Sequence, residues 1–314
     1  MKFALVFPGQ GSQSIGMMAA YGDAPVIRQT FDEASAALGR DLWRLVVDGP
    51  AEALNQTVNT QPLMLAAGVA VYRLWLAQGG PRPAMVAGHS LGEYSALVAA
   101  RAMAFADAVP LVELRAKAMQ EAVQPGEGAM AAILGIDAAT VQAACAESAQ
   151  GQVVEAVNFN APEQIVIAGH AAAVQRAADA CKSRGAKRAV LLPVSAPFHC
   201  SLMRPAAEKL RQRLSTIVIS APEIPLVNNV DVACQSDPAH IRDALVRQAA
   251  APVRWVETMQ MMAGQGITHV YECGPGKVLA GLVKRCADGV VGAAMADGAG
   301  TTAALAAVKE GISC

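Results

Sequence analysis

The chain has 314 residues, of which 54% are hydrophobic and 16% charged, enough apolar material for one large core or two packed subdomains and far from the balance of a disordered chain. A formal net charge of −1 gives no global positive field for a nucleic-acid backbone or an anionic membrane, so attraction to an acidic partner has to be local. The seven cysteines, Cys145, Cys181, Cys200, Cys234, Cys273, Cys286 and Cys314, lack the paired spacing of a zinc site or redox motif and read as free thiols of a reducing cytoplasm.

The start, Met1-Lys2-Phe3-Ala4-Leu5-Val6-Phe7, is apolar but breaks at Pro8-Gly9, too short for a signal segment or a membrane span; it is predicted to be a buried strand. A helix is predicted through 26–38, where Val26, Ile27, Phe31, Ala34 and Leu38 recur at helical spacing. An apolar helix over 62–78, a short strand over 84–87 and a helix over 93–100 continue the alternation expected of a largely parallel sheet. After the turn at 124–128 the order changes to strand (129–134), helix (138–149), strand (153–159), strand (164–168), helix (171–183) and strand (189–194). That order is the split βαβ of a ferredoxin-like unit. It places an inserted subdomain at 126–194 and leaves a discontinuous larger domain of 1–125 and 195–314. Helices over 241–248 and 253–263, a strand over 268–272 and a helix over 278–286 then resume the first pattern.

Gly88-His89-Ser90-Leu91-Gly92 falls between a predicted strand and a predicted helix. In that setting GxSxG forces the serine onto a tight turn with its hydroxyl exposed, the nucleophile elbow of an α/β-hydrolase-like domain, and the Leu91 N–H can face a developing oxyanion. The pentapeptide alone also occurs in purely structural turns. A serine hydroxyl needs a base within hydrogen-bond reach. Of the five histidines, His199 is the best placed, because it follows Pro193-Val194-Ser195-Ala196-Pro197-Phe198, where the chain leaves the inserted subdomain and would pass a cleft. His89 lies inside the elbow, a poor position for a base, and His170, His240 and His269 fall in ordinary helix or strand settings. The loop Pro8-Gly9-Gln10-Gly11-Ser12-Gln13 fails as a dinucleotide loop, since Ser14 stands where the third glycine belongs; it suits a turn that presents backbone amides. Gly274-Pro275-Gly276-Lys277 lacks the leading glycine and the hydroxyl residue of a phosphate loop and reads as a turn before a helix.

Ten segments in order carry a resemblance: FPGQGSQ (7–13), TQP (60–62), GHSLGEY (88–94), LRAKAMQ (114–120), GAMAAILG (128–135), NFNAPEQ (158–164), PFH (197–199), NNVD (228–231), LVRQ (245–248) and ECGPGKVL (272–279). With them the chain resembles, over essentially its whole length, the malonyl-CoA:acyl carrier protein transacylases of bacterial fatty acid synthesis. The resemblance implies that Ser90 takes the acyl group, that His199 is its base and that the backbone amides of Gln10 and Leu91 form the oxyanion hole. It also implies that Gln248 orients the histidine through its amide or main-chain carbonyl, a dyad with a neutral helper instead of a full triad. Arg115 matches the ligand of the substrate carboxylate, for which a guanidinium fork is suited. Read from its neighbours alone, Glu113 and Lys117, it would be a surface helix charge.

The expected reaction is therefore ping-pong transfer of malonyl from coenzyme A to the pantetheine thiol of acyl carrier protein through a malonyl-serine, in the cytoplasm. Neither metal nor bound cofactor is expected, the coenzyme A thioester being a substrate, and neither nucleic acid nor membrane is an expected partner. The rival readings are a thioester hydrolase using the same dyad and a non-catalytic carrier-binding subunit. Two positions depart from the resemblance. Arg101 stands where a small residue such as glycine would close the helix after the elbow, and Phe198 is bulkier than the residue several bacterial members carry there. Phe198 either narrows the space beside the malonyl α-carbon or merely packs the loop of His199. The cluster Lys182, Arg184, Lys187 and Arg188 is either a docking surface for an acidic carrier or a solvated helix end.

Overall fold

A computed structural model describes residues 1–312, so Cys314 lies outside the described residues. Its strands are β1 (Phe3–Phe7), β2 (Met85–Gly88), β3 (Gly128–Leu134), β4 (Val154–Ala161), β5 (Gln164–His170), β6 (Arg188–Leu191), β7 (Leu226–Val227), β8 (His269–Glu272) and β9 (Val291–Ala294). They form two sheets. One is parallel, in the order β7-β2-β1-β8-β9, and the other antiparallel, in the order β4-β5-β3-β6.

Every residue of β1 is buried, which is why the segment shows no polar alternation: a central parallel strand is covered on both faces. Phe3, Leu5 and Phe7 face one core with the helices Thr57–Ala77 and Phe105–Glu121, while Ala4 and Val6 face the other with Trp255–Gly264 and Val278–Cys286. The register sets Phe7 beside Gly88 and Val6 beside Glu272, so the strands end together. The loops that follow β1, β2, β7 and β8 therefore share one edge, the side on which open parallel sheets build their sites.

The antiparallel sheet carries the helices Ala138–Ser148 and Ala171–Ser183 over one face, around Ala131, Ile133, Val174 and Cys181. With connections in the order strand, helix, strand, strand, helix, strand, it is ferredoxin-like. Its other face, through Met130, Val157, Val166 and Ala168, packs on Cys200, Phe198 and Leu202. Backbone hydrogen bonds from Phe159 N–H to the Val253 carbonyl (3.0 Å) and from Val253 N–H to the Val157 carbonyl (2.8 Å) tie it to the larger domain.

Several boundaries differ from those predicted. The helix expected over 62–78 begins at Thr57, because Pro62 lies inside it and not at its first turn. The carbonyl of Val58, which would have bonded the missing proline N–H, accepts from Arg40 at 3.4 Å instead. The last strand of the insertion is Arg188–Leu191, shorter than 189–194 at its end, since Leu192 and Val194 turn toward the active site. Phe105–Glu121 carries a weak amphipathic pattern and β7 is only two residues long, so neither stands out in the sequence, whereas Arg204–Leu214 buries Ala206, Leu210 and Leu214 at helical spacing, a legible pattern that the prediction leaves out. At Arg101 the chain is left-handed, with φ 56°, so the turn after the elbow helix demands the conformation of a glycine although the residue is arginine.

Candidate active site

Ser90 follows β2 and precedes the helix Gly92–Ala99, with φ 51°, the strained turn that the GxSxG pattern requires. A Cβ on Gly88 would lie 1.9 Å from the carbonyl carbon of Gly92, so only glycine lets strand and helix close so tightly. A Cβ on Gly9 would meet the His89 carbonyl at 2.6 Å, which shows how closely the loop after β1 lies against the elbow. Gln10 and Leu91 consequently line the same cavity, of about 130 Å³, as Ser90, Arg115 and His199.

The Ser90 Oγ is 2.7 Å from His199 Nε2, and His199 Nδ1 is 2.9 Å from the main-chain carbonyl of Gln248. A carbonyl only accepts, so Nδ1 carries the proton and Nε2 is free to receive that of the serine. His199 is 3% exposed. Burial, and next the charge of Arg115, push its pKa down to about 3, so it is neutral at pH 7. It too is left-handed, at φ 67°, which turns the ring from the loop back to the elbow.

Arg115 is 2% exposed, which overturns the surface position its neighbours suggest. One Nη donates to Gln61 Oε1 (2.8 Å) and the other to Ser90 Oγ and Gln248 Oε1 (both 3.0 Å), and the guanidinium lies over Tyr94, 5.4 Å from the ring centre. These neutral partners satisfy both Nη groups but leave the buried Nε without one, and burial holds the pKa of the guanidinium below its ordinary value. Gln61 continues outward through Thr57 to the side chain of Gln10. Gln248, wholly buried, bonds through its carbonyl to the histidine and through its side-chain NH₂ to the Ser90 carbonyl and Glu93 Oε2 (both 2.9 Å).

Apart from His89 and Asn158, the rest of the wall is apolar. Met119 comes from the larger domain, Met130, Leu192 and Val194 from the insertion and its exit, and Phe198 from the loop of His199. Two of the other histidines have partners of their own, although His89 also lines the cavity. His89 Nε2 meets Asn160 Oδ1 at 2.8 Å and its ring lies beside Trp255, while His170 Nδ1 accepts the Val153 N–H at 2.9 Å.

Four polar residues of the site went unread in the sequence. Gln61, Glu93, Asn158 and Asn229 all lie inside the matching segments, but nothing in their spacing says that they are inward-facing. Asn158 lines the cavity with a buried Oδ1 that has no partner. Glu93 is pushed up to about 7 by burial, against hydrogen bonds from Gln248 and Asn229 and the charge of Arg115. No group of three or more His, Cys, Asp or Glu suited to a metal occurs among the described residues.

Comparison with known proteins bears on what this arrangement serves. The acyl transferase domain family matches residues 4–304. The malonyl CoA-acyl carrier protein transacylase of Salmonella typhimurium is 59% identical over 305 residues, covering 97% of this chain and 99% of that protein. The crystal structure of an acyl-carrier-protein S-malonyltransferase from Burkholderia pseudomallei superposes with a TM-score of 0.96 at 61% identity, over 98% of this chain and all of that one. A malonyl-transacylase solved in complex with a type II PKS acyl-carrier protein superposes equally well, with a TM-score of 0.96 at 54% identity over 98% of this chain and all of that one. With near-complete coverage in sequence and fold, the chain belongs to the acyl transferase family, among the malonyl-CoA:acyl carrier protein transacylases.

Proposed function

We propose that the chain transfers malonyl from malonyl-CoA to the pantetheine thiol of acyl carrier protein, with Ser90 and His199 as catalytic pair, supplying units for fatty acid synthesis. The observation that carries the reading is the 2.7 Å contact between Ser90 Oγ and His199 Nε2 with Arg115 on the same oxygen. A serine–histidine pair suits acyl transfer, and a buried guanidinium beside it suits an acyl group that ends in a carboxylate.

In this reading His199 Nε2 takes the Ser90 proton as Oγ attacks the thioester carbonyl. The charge that develops on the carbonyl oxygen is met by the N–H groups of Gln10 and Leu91. Collapse breaks the carbon–sulfur bond, and the proton held by His199 goes to the departing coenzyme A thiolate. The pantetheine thiol then gives its proton to His199, attacks the malonyl-serine and releases Ser90, whose Oγ recovers the proton. Arg115 turns its fork to the malonyl carboxylate. Because the charge of Arg115 is one cause of the low basicity of His199, a carboxylate that neutralises it raises the basicity of the imidazole as substrate arrives. Each step uses side chains and backbone of this chain, and the reading includes no metal or bound cofactor.

The same reading divides the chain into a catalytic domain, 1–125 and 195–314, and an inserted subdomain, 126–194, with the cleft between them. It also places the protein in the cytoplasm. No helix among the described residues is long and apolar enough to cross a membrane, and the six described cysteines are free thiols. The test is intact mass after incubation with malonyl-CoA, with and without acyl carrier protein. A malonyl adduct is expected on wild type and not on Ser90→Ala, and it should discharge to carrier faster than to water. An adduct that persists on Ser90→Ala would move the nucleophile elsewhere, and discharge to water alone would make the protein a hydrolase.

A further inference from the structure

The hydrogen bonds that hold the catalytic pair in place converge on one carboxylate that does not line the cavity. Glu93, 2% exposed, stands in the first turn of the helix Gly92–Ala99. Its Oε2 accepts from the N–H of Asn229 at 3.0 Å and from Gln248 Nε2 at 2.9 Å. Asn229 follows β7, the neighbour of β2, and brackets the nucleophile's turn: its Oδ1 accepts the Ser90 N–H and its Nδ2 donates to the Gly88 carbonyl, both at 2.7 Å. Gln248 brackets the base, since its carbonyl accepts a hydrogen bond from His199 Nδ1–H while its side chain donates to the Ser90 carbonyl. Ser90 and His199 both occupy left-handed backbone, which persists in a non-glycine residue where the surroundings over-determine it.

We infer that Glu93 is the positioning residue of this site: one buried oxygen fixes the turn of Ser90 through Asn229 and the loop of His199 through Gln248, so that Oγ and Nε2 stay in hydrogen-bond contact. This rests on the assignment of Ser90 and His199 as the catalytic pair. The role belongs to an acceptor and not to a charge. Both donors reach the same oxygen, and an amide oxygen also has two lone pairs and can take both bonds. A side chain without an acceptor leaves two buried donors unpaired.

The experiment compares the full-length wild type with Glu93→Met, Glu93→Gln and Asn229→Ala. It follows the rate at which malonyl-CoA acylates Ser90, by quenched-flow intact mass, together with kcat and KM at steady state and thermal unfolding. A displaced pair is expected to slow acylation by Glu93→Met at least ~10²-fold, more than it raises KM for malonyl-CoA, because Glu93 reaches the cavity-lining Arg115 only through Gln248. Glu93→Gln should return to within about tenfold of wild type, as an acceptor in the same place should. Asn229→Ala breaks the elbow arm alone and should also lower kcat without moving KM, which keeps the inference open to refutation if Glu93→Met does not fold. Three results overturn it: a folded Glu93→Met that acylates like wild type, a Glu93→Gln as slow as Glu93→Met, or an Asn229→Ala with unchanged kcat. If wild type forms no ester on Ser90, the catalytic assignment itself fails, an outcome distinct from these three.

Discussion

The guanidinium of Arg115 touches Ser90, Gln248 and Gln61 at once, and because it is the proposed carboxylate ligand, its removal should affect substrates unequally. A charge-assisted hydrogen bond contributes about 1.5 to 3 kcal/mol, so Arg115→Ala should lower kcat/KM for malonyl-CoA roughly ten- to a hundredfold or more. Acetyl-CoA, which has no carboxylate, should lose much less, and equal losses would reduce Arg115 to scaffolding. Phe198 lies both in the cavity wall and against the core that joins the two sheets. If its ring limits the space beside the malonyl α-carbon, Phe198→Ser should relax the preference for malonyl-CoA over methylmalonyl-CoA. One methyl group is worth only about 1 to 3 kcal/mol, so the wild-type preference should be roughly ten- to two-hundredfold. The ratio of the two specificity constants is the quantity to compare, because loosening the loop of His199 slows both substrates. An unchanged ratio would leave Phe198 as packing.

Helix ends and sheet edges carry the next scale of consequence. The turn after the elbow helix puts Arg101 in left-handed backbone with its side chain 76% exposed, and its ion pair with Glu223 is long at 3.5 Å. An exposed pair of that kind contributes little, whereas the conformation costs a side-chain-bearing residue on the order of 1 kcal/mol. Arg101→Gly should therefore raise unfolding stability in urea by up to about 1 kcal/mol without changing turnover. Lower stability would give the guanidinium a contact worth more than the strain. At the insertion, Lys182 pairs with Asp179 and Arg184 with Glu147, so half of the basic cluster is neutralised within the chain. Lys187 and Arg188 are exposed and have no ion-pair partner among the described residues, and β6 adds the exposed Val190 and Leu191 just before the cavity-lining Leu192. An acidic carrier is therefore expected along this edge strand. Glutamate at both 187 and 188 should raise the carrier's KM, and added salt should weaken carrier transfer more than Ser90 acylation, since exposed charges are screened within about 8 Å at physiological salt. An unchanged KM would put the docking surface elsewhere.

For the molecule as a whole, buried ionisable groups link stability to pH. Glu272, at the end of β8, accepts the Ala280 N–H at 2.8 Å, and burial pushes its pKa from 4.5 to about 7. Between these values the folded protein holds a proton that the unfolded chain has released, so its contribution to stability is full below pH 4.5 and is lost as pH rises through about 7. His199 acts oppositely, since its folded value lies near 3, but that effect is common to wild type and variant. Glu272→Gln does not titrate. Its stability relative to wild type should therefore rise by about 3 kcal/mol between pH 4.5 and 8 in urea unfolding. A constant difference would mean that Glu272 ionises as freely in the fold as outside it. The sequence by itself determined the strand–turn–helix of Ser90, the alternation that makes the parallel sheet and the ferredoxin-like insertion, because each is written in contiguous residues whose periodicity reports their own face. Only the tertiary structure decided that Arg115 is buried, that Gln248 works through its carbonyl and its amide together, and that Glu93 and Asn229 support the pair. A polar residue turns inward only when distant segments supply its partners. Ser90 and Asn229 are 139 residues apart and Glu93 and Gln248 155 apart, and only the order and common ending of β7, β2 and β1 bring those segments to one edge.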